Sequence, residues 1–234
     1  MNVSVAMAVY NGEKYLRQQI ESVIMQLGEE DELIISVDKS EDRSMSIACE
    51  YAKEHDNVTV LAGPCEGVER NFENAILSCK KDVIFLCDQD DVWESDKVET
   101  IRGCFANNRV YVVIHDAYVT DENLNVIMES YFDYRKCKKG IIKNIWKNSY
   151  IGCCMAFRRE LVKTVVPFPK SIPMHDQWIG IMGERKGKVI FIRKPLMKYR
   201  RHGENATRLQ HAGFLTMLGW RLNLIWNLLI RKVE

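Results

Sequence analysis

The sequence predicts an α/β fold, a mostly parallel central sheet flanked by helices, and three observations predict it. Short apolar runs alternate with segments of helical periodicity through the first half of the chain. Those runs are rich in β-branched residues and bounded by turn formers, the pattern of parallel strands covered on both faces. One of them, Val83–Cys87, runs straight into Asp88, Asp90 and Asp91. Ligands of open α/β sheets collect beyond the carboxyl ends of the strands, so a site is expected at these acids.

The elements follow in order. Val3–Val9 is a strand broken by Asn11-Gly12, and Tyr15, Leu16, Ile20, Val23, Ile24 and Leu27 then fall at helical spacing. Glu32–Asp38 is a second strand; Ser40, Glu41 and Asp42 offer caps for a helix through Tyr51. Asn57–Leu61 is a third strand, Val68–Cys79 a helix, Val83–Cys87 the central strand and Ser95–Phe105 a helix. Strands that alternate with helices require crossover connections and hence parallel pairing. Val110–Ile114 reads as a strand ending at His115-Asp116, and Tyr118–Met128 as a hairpin around the turn formers Asp121–Asn125.

Beyond Tyr131 the pattern is mixed. Tyr131–Lys139 is basic without apolar period and is expected to be a mobile surface segment. Ile151–Phe157 is an apolar run, Leu161–Val165 is helical, and Pro167, Pro169 and Pro173 mark a turn before a helix opening at Met174–Trp178. Lys188–Ile192 and Pro195–Tyr199 read as two extended pieces followed by a cationic loop, Arg200–Gly203. Phe214–Ile230 is apolar but carries Arg221, Asn223 and Asn227, which suits an amphipathic helix on a membrane surface or packed on the body rather than a span.

Composition narrows the function. The 234 residues suffice for one large α/β domain, and no linker divides them. Lys and Arg (33) balance Asp and Glu (32), so no basic field calls for nucleic acid. The eight cysteines contain no C-x-x-C pair and Met1 leads directly into a strand, which predicts a reduced, cytoplasmic chain with buried free thiols and no zinc site. The acids after the central strand are hard ligands suited to Mg²⁺ or Mn²⁺ with a diphosphate. Taken alone, D-x-D-D reads more readily as a solvated turn capping the next helix.

Several segments together carry a resemblance to family 2 glycosyltransferases, the inverting enzymes of GT-A fold, and most to their rhamnosyltransferase-like branch. VSVAMAVYNG at Val3–Gly12 is similar to the opening strand of that family. SVDKSEDRS at Ser36–Ser44 resembles its S-D-D-G-S-T-D pattern, with Asp38 on the second acid and Val37 and Lys39 as departures. GVERNF at Gly67–Phe72 and DQDDVW with Lys97 behind it resemble the segments around the metal signature. GCCMAF at Gly152–Phe157, MHDQW at Met174–Trp178 and YRRHGEN at Tyr199–Asn205 resemble an acceptor-side strand, the segment of the catalytic base and a closing loop.

The resemblance implies a GT-A domain over 1–212, with a nucleotide-sugar half at 1–117, an acceptor half at 118–212 and an amphipathic helical segment at 213–234. Ala8, Val9, Tyr10, Asp38, Arg70 and Asn71 are then expected around the nucleotide, with Asp38 hydrogen-bonding a pyrimidine. Asp91 is the main ligand of Mn²⁺ or Mg²⁺, Asp90 sits by the ribose and metal, and Asp88 orients them. Arg200, Arg201 and His202 reach diphosphate or metal, and Asp176 is the general base, ahead of His175 or Asp116. The helix N-terminus is expected to keep Asp176 ionised. The implied partners are a UDP- or dTDP-sugar donor and a saccharide or lipid-linked acceptor, with peripheral membrane contact through 213–232 on the inner face of the cell membrane. A nucleotidyltransferase competes on the same sheet and acids, but only Asn11-Gly12-Glu13 stands where its basic glycine-rich loop belongs. A non-catalytic nucleotide-sugar binding module competes through Val37 and Lys39.

Overall fold

The computed structural model describes residues 1–170, 172, 174–203 and 213–232. The chain runs β1 (Val3–Val9), α1 (Glu13–Ile24), β2 (Glu32–Val37), α2 (Ser44–Glu54), β3 (Val58–Ala62), α3 (Val68–Ser78), β4 (Val83–Asp88) and β5 (Val92–Trp93). It continues through α4 (Lys97–Cys104), β6 (Val110–Thr120), β7 (Val126–Met128), α5 (Tyr131–Arg135), α6 (Ile141–Trp146), β8 (Met155–Arg158), α7 (Val162–Val165), α8 (His175–Lys186), β9 (Lys188–Arg200) and α9 (Phe214–Ile230).

All strands join one sheet in the order β3-β2-β1-β4-β8-β6-β9-β5, with β7 on β6. β1, β2, β3 and β4 pair in parallel, as their crossover helices require, and β6 pairs in parallel with β9. β8 enters antiparallel between β4 and β6, and β5 antiparallel on β9. β1 and β4 are buried almost throughout, which explains why they read as unbroken apolar runs. Their carboxyl ends and that of β2 open on one rim. α3 and α8 share a face of the sheet, where His175 stacks on Phe72 with ring centres 4.5 Å apart.

Five expectations are corrected. Tyr131–Lys139 is not a loose surface segment: Phe132 is buried and Ser130 caps α5 by accepting the Asp133 N–H. The strand predicted to end at His115-Asp116 continues to Thr120, and the two pieces around Pro195 are one strand, β9, whose register against β6 shifts at His115–Asp116. The shift absorbs the proline, which donates no ladder hydrogen bond. Gly152–Cys154 form a 3₁₀ turn ahead of β8 rather than strand. Arg200 ends β9 and is buried, not part of an exposed cationic loop. Pro173 of the expected turn, and Glu204 and Asn205 of the expected closing loop, lie outside the described residues.

Candidate active site

At the rim, a cavity of about 530 Å³ is lined by Ala8, Val9 and Tyr10 at the end of β1, Asp38 after β2, Asn71 on α3 and Asp88 on β4. Asp38 is fixed by the backbone: its own N–H donates to the Val9 carbonyl (2.9 Å), and Oδ1 accepts the Cys65 N–H (2.8 Å). A Cβ at Gly63 would stand 2.3 Å from that Oδ1, so only glycine lets the chain pass so near the carboxylate. Asn71 donates to the Val9 carbonyl (3.1 Å), while its buried Oδ1 has no partner among the described residues. Gln89 clamps Tyr10 by accepting its N–H (2.8 Å) and donating to its carbonyl (2.9 Å), tying the end of β1 to the acidic turn.

β4 delivers Asp88 to the cavity, and a sharp turn through Asp90 buries Asp91, which is 1% exposed, before β5 begins. Asp91 Oδ1 accepts the Arg200 N–H (3.0 Å), but the buried Oδ2 has no hydrogen-bond partner among the described residues. Asp90 Oδ2 lies 2.7 Å from His202 Nε2, whose ring rests on Tyr15 at 4.8 Å. Burial, then the charges of Asp90 and Asp88, push the Asp91 carboxyl well above the usual range. Burial, then Asp90 and Asp176, raise Asp88 to about 7. Clustered acids with an orphaned buried oxygen are what a divalent cation would satisfy, so the donor set fits such an ion. One oxygen each of Asp88 and Asp91 and the Cys153 sulfur lie within 4.8 Å of one another. Beneath them Lys97 is fully buried, its ammonium donating to the Cys153 carbonyl (2.9 Å) and lying 3.9 Å from the Trp93 ring centre.

Asp176 lies in the first turn of α8 and is 4% exposed. Its Oδ1 accepts from Asn148 Nδ2 (3.1 Å) and from the Gln177 N–H (2.5 Å). Burial outweighs these donors and raises its pKa to about 7. The expected depression by the helix N-terminus is therefore reversed, because desolvation of a carboxylate exceeds what the first turn supplies. His175 stacks on Phe72 and Phe168, and burial lowers its pKa to about 4.

A sequence profile described as glycosyl transferase family 2 matches residues 4–166, most of the chain and nearly all the strands that build the cavity. The chain belongs to glycosyl transferase family 2. Members of this family are glycosyltransferases that use nucleotide sugars, and the chain's fold is theirs. It is 27% identical over 222 residues to the dTDP-rhamnosyl transferase RfbG of Shigella flexneri, covering 85% of this chain and 72% of that one. TarS of S. aureus, solved with UDP-GlcNAc, superposes with a TM-score of 0.75 at 16% identity over 100% of this chain and 68% of TarS. A Pyrobaculum calidifontis mannosyltransferase solved with GDP-Man and Mn²⁺ gives a TM-score of 0.59 at 17% identity, covering 82% and 54% of the two chains. These likenesses establish the GT-A fold.

Within that family fold, Ala8, Val9, Tyr10, Asp38, Asn71, Asp88 and Asp90 do meet around one cavity. Arg70 does not line it: its guanidinium pairs with Glu73 (2.6 Å) and donates to the Phe168 carbonyl (2.9 Å), bracing α3. Arg200 spends its donors inside the protein, on the Asp90 carbonyl (2.7 Å), the Glu122 carbonyl (2.5 Å) and Gln18 Oε1 (2.6 Å), with the guanidinium 4.5 Å from the Tyr15 ring centre. Arg201 is placed by its N–H, which donates to the Thr120 carbonyl (2.9 Å). Asp116, the reserve base, accepts from the Ala117 and Phe132 N–H groups and the Ser130 hydroxyl and serves α5 instead. Of the caps expected for α2, Asp42 accepts the Ser44 N–H (2.9 Å) and also the Glu13 N–H (2.8 Å) at the start of α1, where Ser44 Oγ accepts the Gly12 N–H (2.7 Å). Lys39 and Cys65, which line the same cavity, were not expected there as ligand contacts. Nor was Cys153 expected beside the acids; no local pattern distinguishes it from a core cysteine.

Proposed function

We propose that this domain transfers a sugar, with inversion, from a UDP- or dTDP-sugar to a hydroxyl of a saccharide or lipid-linked acceptor in surface polysaccharide synthesis. The observation that carries this reading is that the cavity rimmed by Asp38, Asp88 and Asp90 adjoins a buried acid cluster whose Asp91 Oδ2 has no hydrogen-bond partner among the described residues. The base lies against Val9 with its polar edge toward Asp38 and the open acceptor Asn71 Oδ1. Asp91 and Asp88 hold Mn²⁺ or Mg²⁺, with Asp90 and His202 beside them. The cation offsets the charge that develops on the leaving diphosphate. Asp176 takes the proton from the acceptor hydroxyl as its oxygen attacks the anomeric carbon and the bond to the diphosphate breaks, which accounts for roughly 10²–10⁴ of the rate. Arg200 holds the acid turn in place. Incubating the protein with sugar nucleotides and Mn²⁺ tests this: nucleoside diphosphate release supports it, whereas pyrophosphate release would point to nucleotidyl transfer and binding without turnover to a binding module.

The domain is further proposed to sit on an anionic membrane surface through α9. No helix of the described residues is long and apolar enough to cross a membrane. α9 docks by Leu224, which is buried, and by Arg221 donating to the Trp146 carbonyl (2.9 Å). Trp220, Trp226 and Leu229 stay exposed, as do Ile142 and Trp146 of the neighbouring α6, and Lys139 and Lys143 flank that apolar face. Sedimentation with anionic vesicles should fall when Trp226 and Leu229 become serine; equal sedimentation would reduce α9 to a packed helix.

A further inference from the structure

The chemistry of transfer gives Cys153 nothing to do, yet the fold presses its thiol against the two acids. Cys153 is 1% exposed, and its sulfur lies within 4.8 Å of a carboxylate oxygen of Asp88 and of Asp91. Its 3₁₀ turn is pinned by the buried Lys97 ammonium on its carbonyl. Cys154, one residue on, meets Met197 Sδ at 3.6 Å and is not among the ligand atoms that group with Asp88 and Asp91 in the described residues. Cys153 is therefore the thiol that joins the ligand atoms of Asp88 and Asp91.

Two features argue for a shared ion rather than a chance neighbour. Asp91 Oδ2 is buried without a hydrogen-bond partner among the described residues. A second feature is spacing. With bonds of about 2.0–2.2 Å to carboxylate oxygen and about 2.3 Å to sulfur, two ligands of one ion stand roughly 3.3–4.5 Å apart. The observed limit of 4.8 Å closes to that range with small side-chain adjustments.

We propose that Cys153 Sγ is a ligand of the cation held by Asp88 and Asp91. The centre is then a mixed carboxylate–thiolate site that takes Cd²⁺, Zn²⁺ and Co²⁺ in preference to Mg²⁺. On binding, the S–H bond is replaced by a sulfur–metal bond and the proton passes to solvent. Sulfur is a soft ligand, so it strengthens binding of thiophilic ions and adds little for Mg²⁺, which favours oxygen donors. The inference rests on the reading that a divalent cation sits on these acids.

The test uses the full chain in a Cys65→Ser background, because Cys65 is an exposed thiol in the same cavity. Cd²⁺ and Mg²⁺ are titrated by calorimetry, and the sulfur-to-cadmium charge-transfer absorption is followed in the ultraviolet. Cys153→Ser should lose that absorption and about tenfold or more in Cd²⁺ affinity, with Mg²⁺ affinity altered less than about threefold. Cys154→Ala should retain the absorption. An unchanged absorption in a folded Cys153→Ser protein overturns the proposal, as does an equal loss for both ions. If Cys153→Ser does not fold, Asp91→Asn in the same background must abolish the absorption, and its persistence overturns the proposal equally. UDP binding with Mn²⁺ separates the two levels of inference. Mn²⁺-dependent UDP binding alongside unchanged cadmium absorption removes only Cys153, whereas a Cys65→Ser parent that binds neither cation nor UDP removes the donor-site reading itself.

Discussion

Asp88 at the end of β4 and Asp176 at the start of α8 are both raised to about 7 and both chiefly by burial, yet their surroundings differ. Asp88 meets further negative charge, first Asp90 and then Asp176, and its neighbour Asp91 has a buried oxygen with no hydrogen-bond partner among the described residues. Asp176 instead receives hydrogen bonds from Asn148 and from the backbone of Gln177. The first arrangement fits the proposed cation. The second carboxylate has donors of its own and a pKa near neutrality, which suits the proposed general base. On that proposal the same burial favours metal binding at one carboxylate and proton acceptance at the other.

The comparison breaks most sharply at Asp91. Asp91→Asn should lower transfer by roughly 10³-fold or more and remove Mn²⁺ binding measured calorimetrically with UDP present, since it deletes a charged ligand of the proposed cation site. Retained Mn²⁺ affinity would place the ion elsewhere. Asp176→Asn should cost roughly 10²–10⁴ in single-turnover transfer while UDP affinity stays unchanged. A loss of UDP binding instead would move Asp176 to the donor side.

The pH dependence sharpens the same contrast. A base that must be ionised, with its pKa raised to about 7, makes log kcat/KM rise with unit slope below pH 7 and level off above it. Its folded pKa also exceeds the ordinary aspartate value of 3.8 expected in the unfolded chain, so the native state binds more protons between those limits. Stability from this group is accordingly greatest at low pH and declines as pH rises toward about 7. Asp176→Asn removes the group's share of that decline, which urea unfolding at pH 5 and pH 8 measures; an unchanged difference between the two pH values would refute the shift.

Arg200→Met leaves the Asp90 and Glu122 carbonyls and Gln18 without their donor, and should cost roughly 2–4 kcal/mol in denaturant unfolding. A stable variant that binds UDP weakly would make Arg200 a ligand contact instead. The smallest effect is expected at His175. It stacks on Phe72 and Phe168 and burial keeps it neutral, so His175→Phe should change transfer by less than about threefold. A loss matching that of Asp176→Asn would exchange their roles.

The donor half was legible because its elements repeat one local rule. Val3–Val9 and Val83–Cys87 are buried on both faces, so every residue reports the strand, and the acids follow where the strand must end. The acceptor half obeys no such rule. Tyr131–Lys139 shows lysines and no period, yet Phe132 and the Ser130 cap fix α5 through Asp116, a partner 14–16 residues away.

The sequence by itself determined the alternation of strands and helices, the family, and which carboxylates lie at a strand end or helix start, because these depend on periodicity and residue type within a few positions. Tertiary structure decided what each charged group does. Arg200 became a buried brace, Arg70 an ion-pair partner, and Cys153 a neighbour of acids 62 and 65 positions away in the chain. It also set the Asp176 pKa, since desolvation sums over every element packed around the carboxyl, whereas the helix start visible in sequence supplies only a local field.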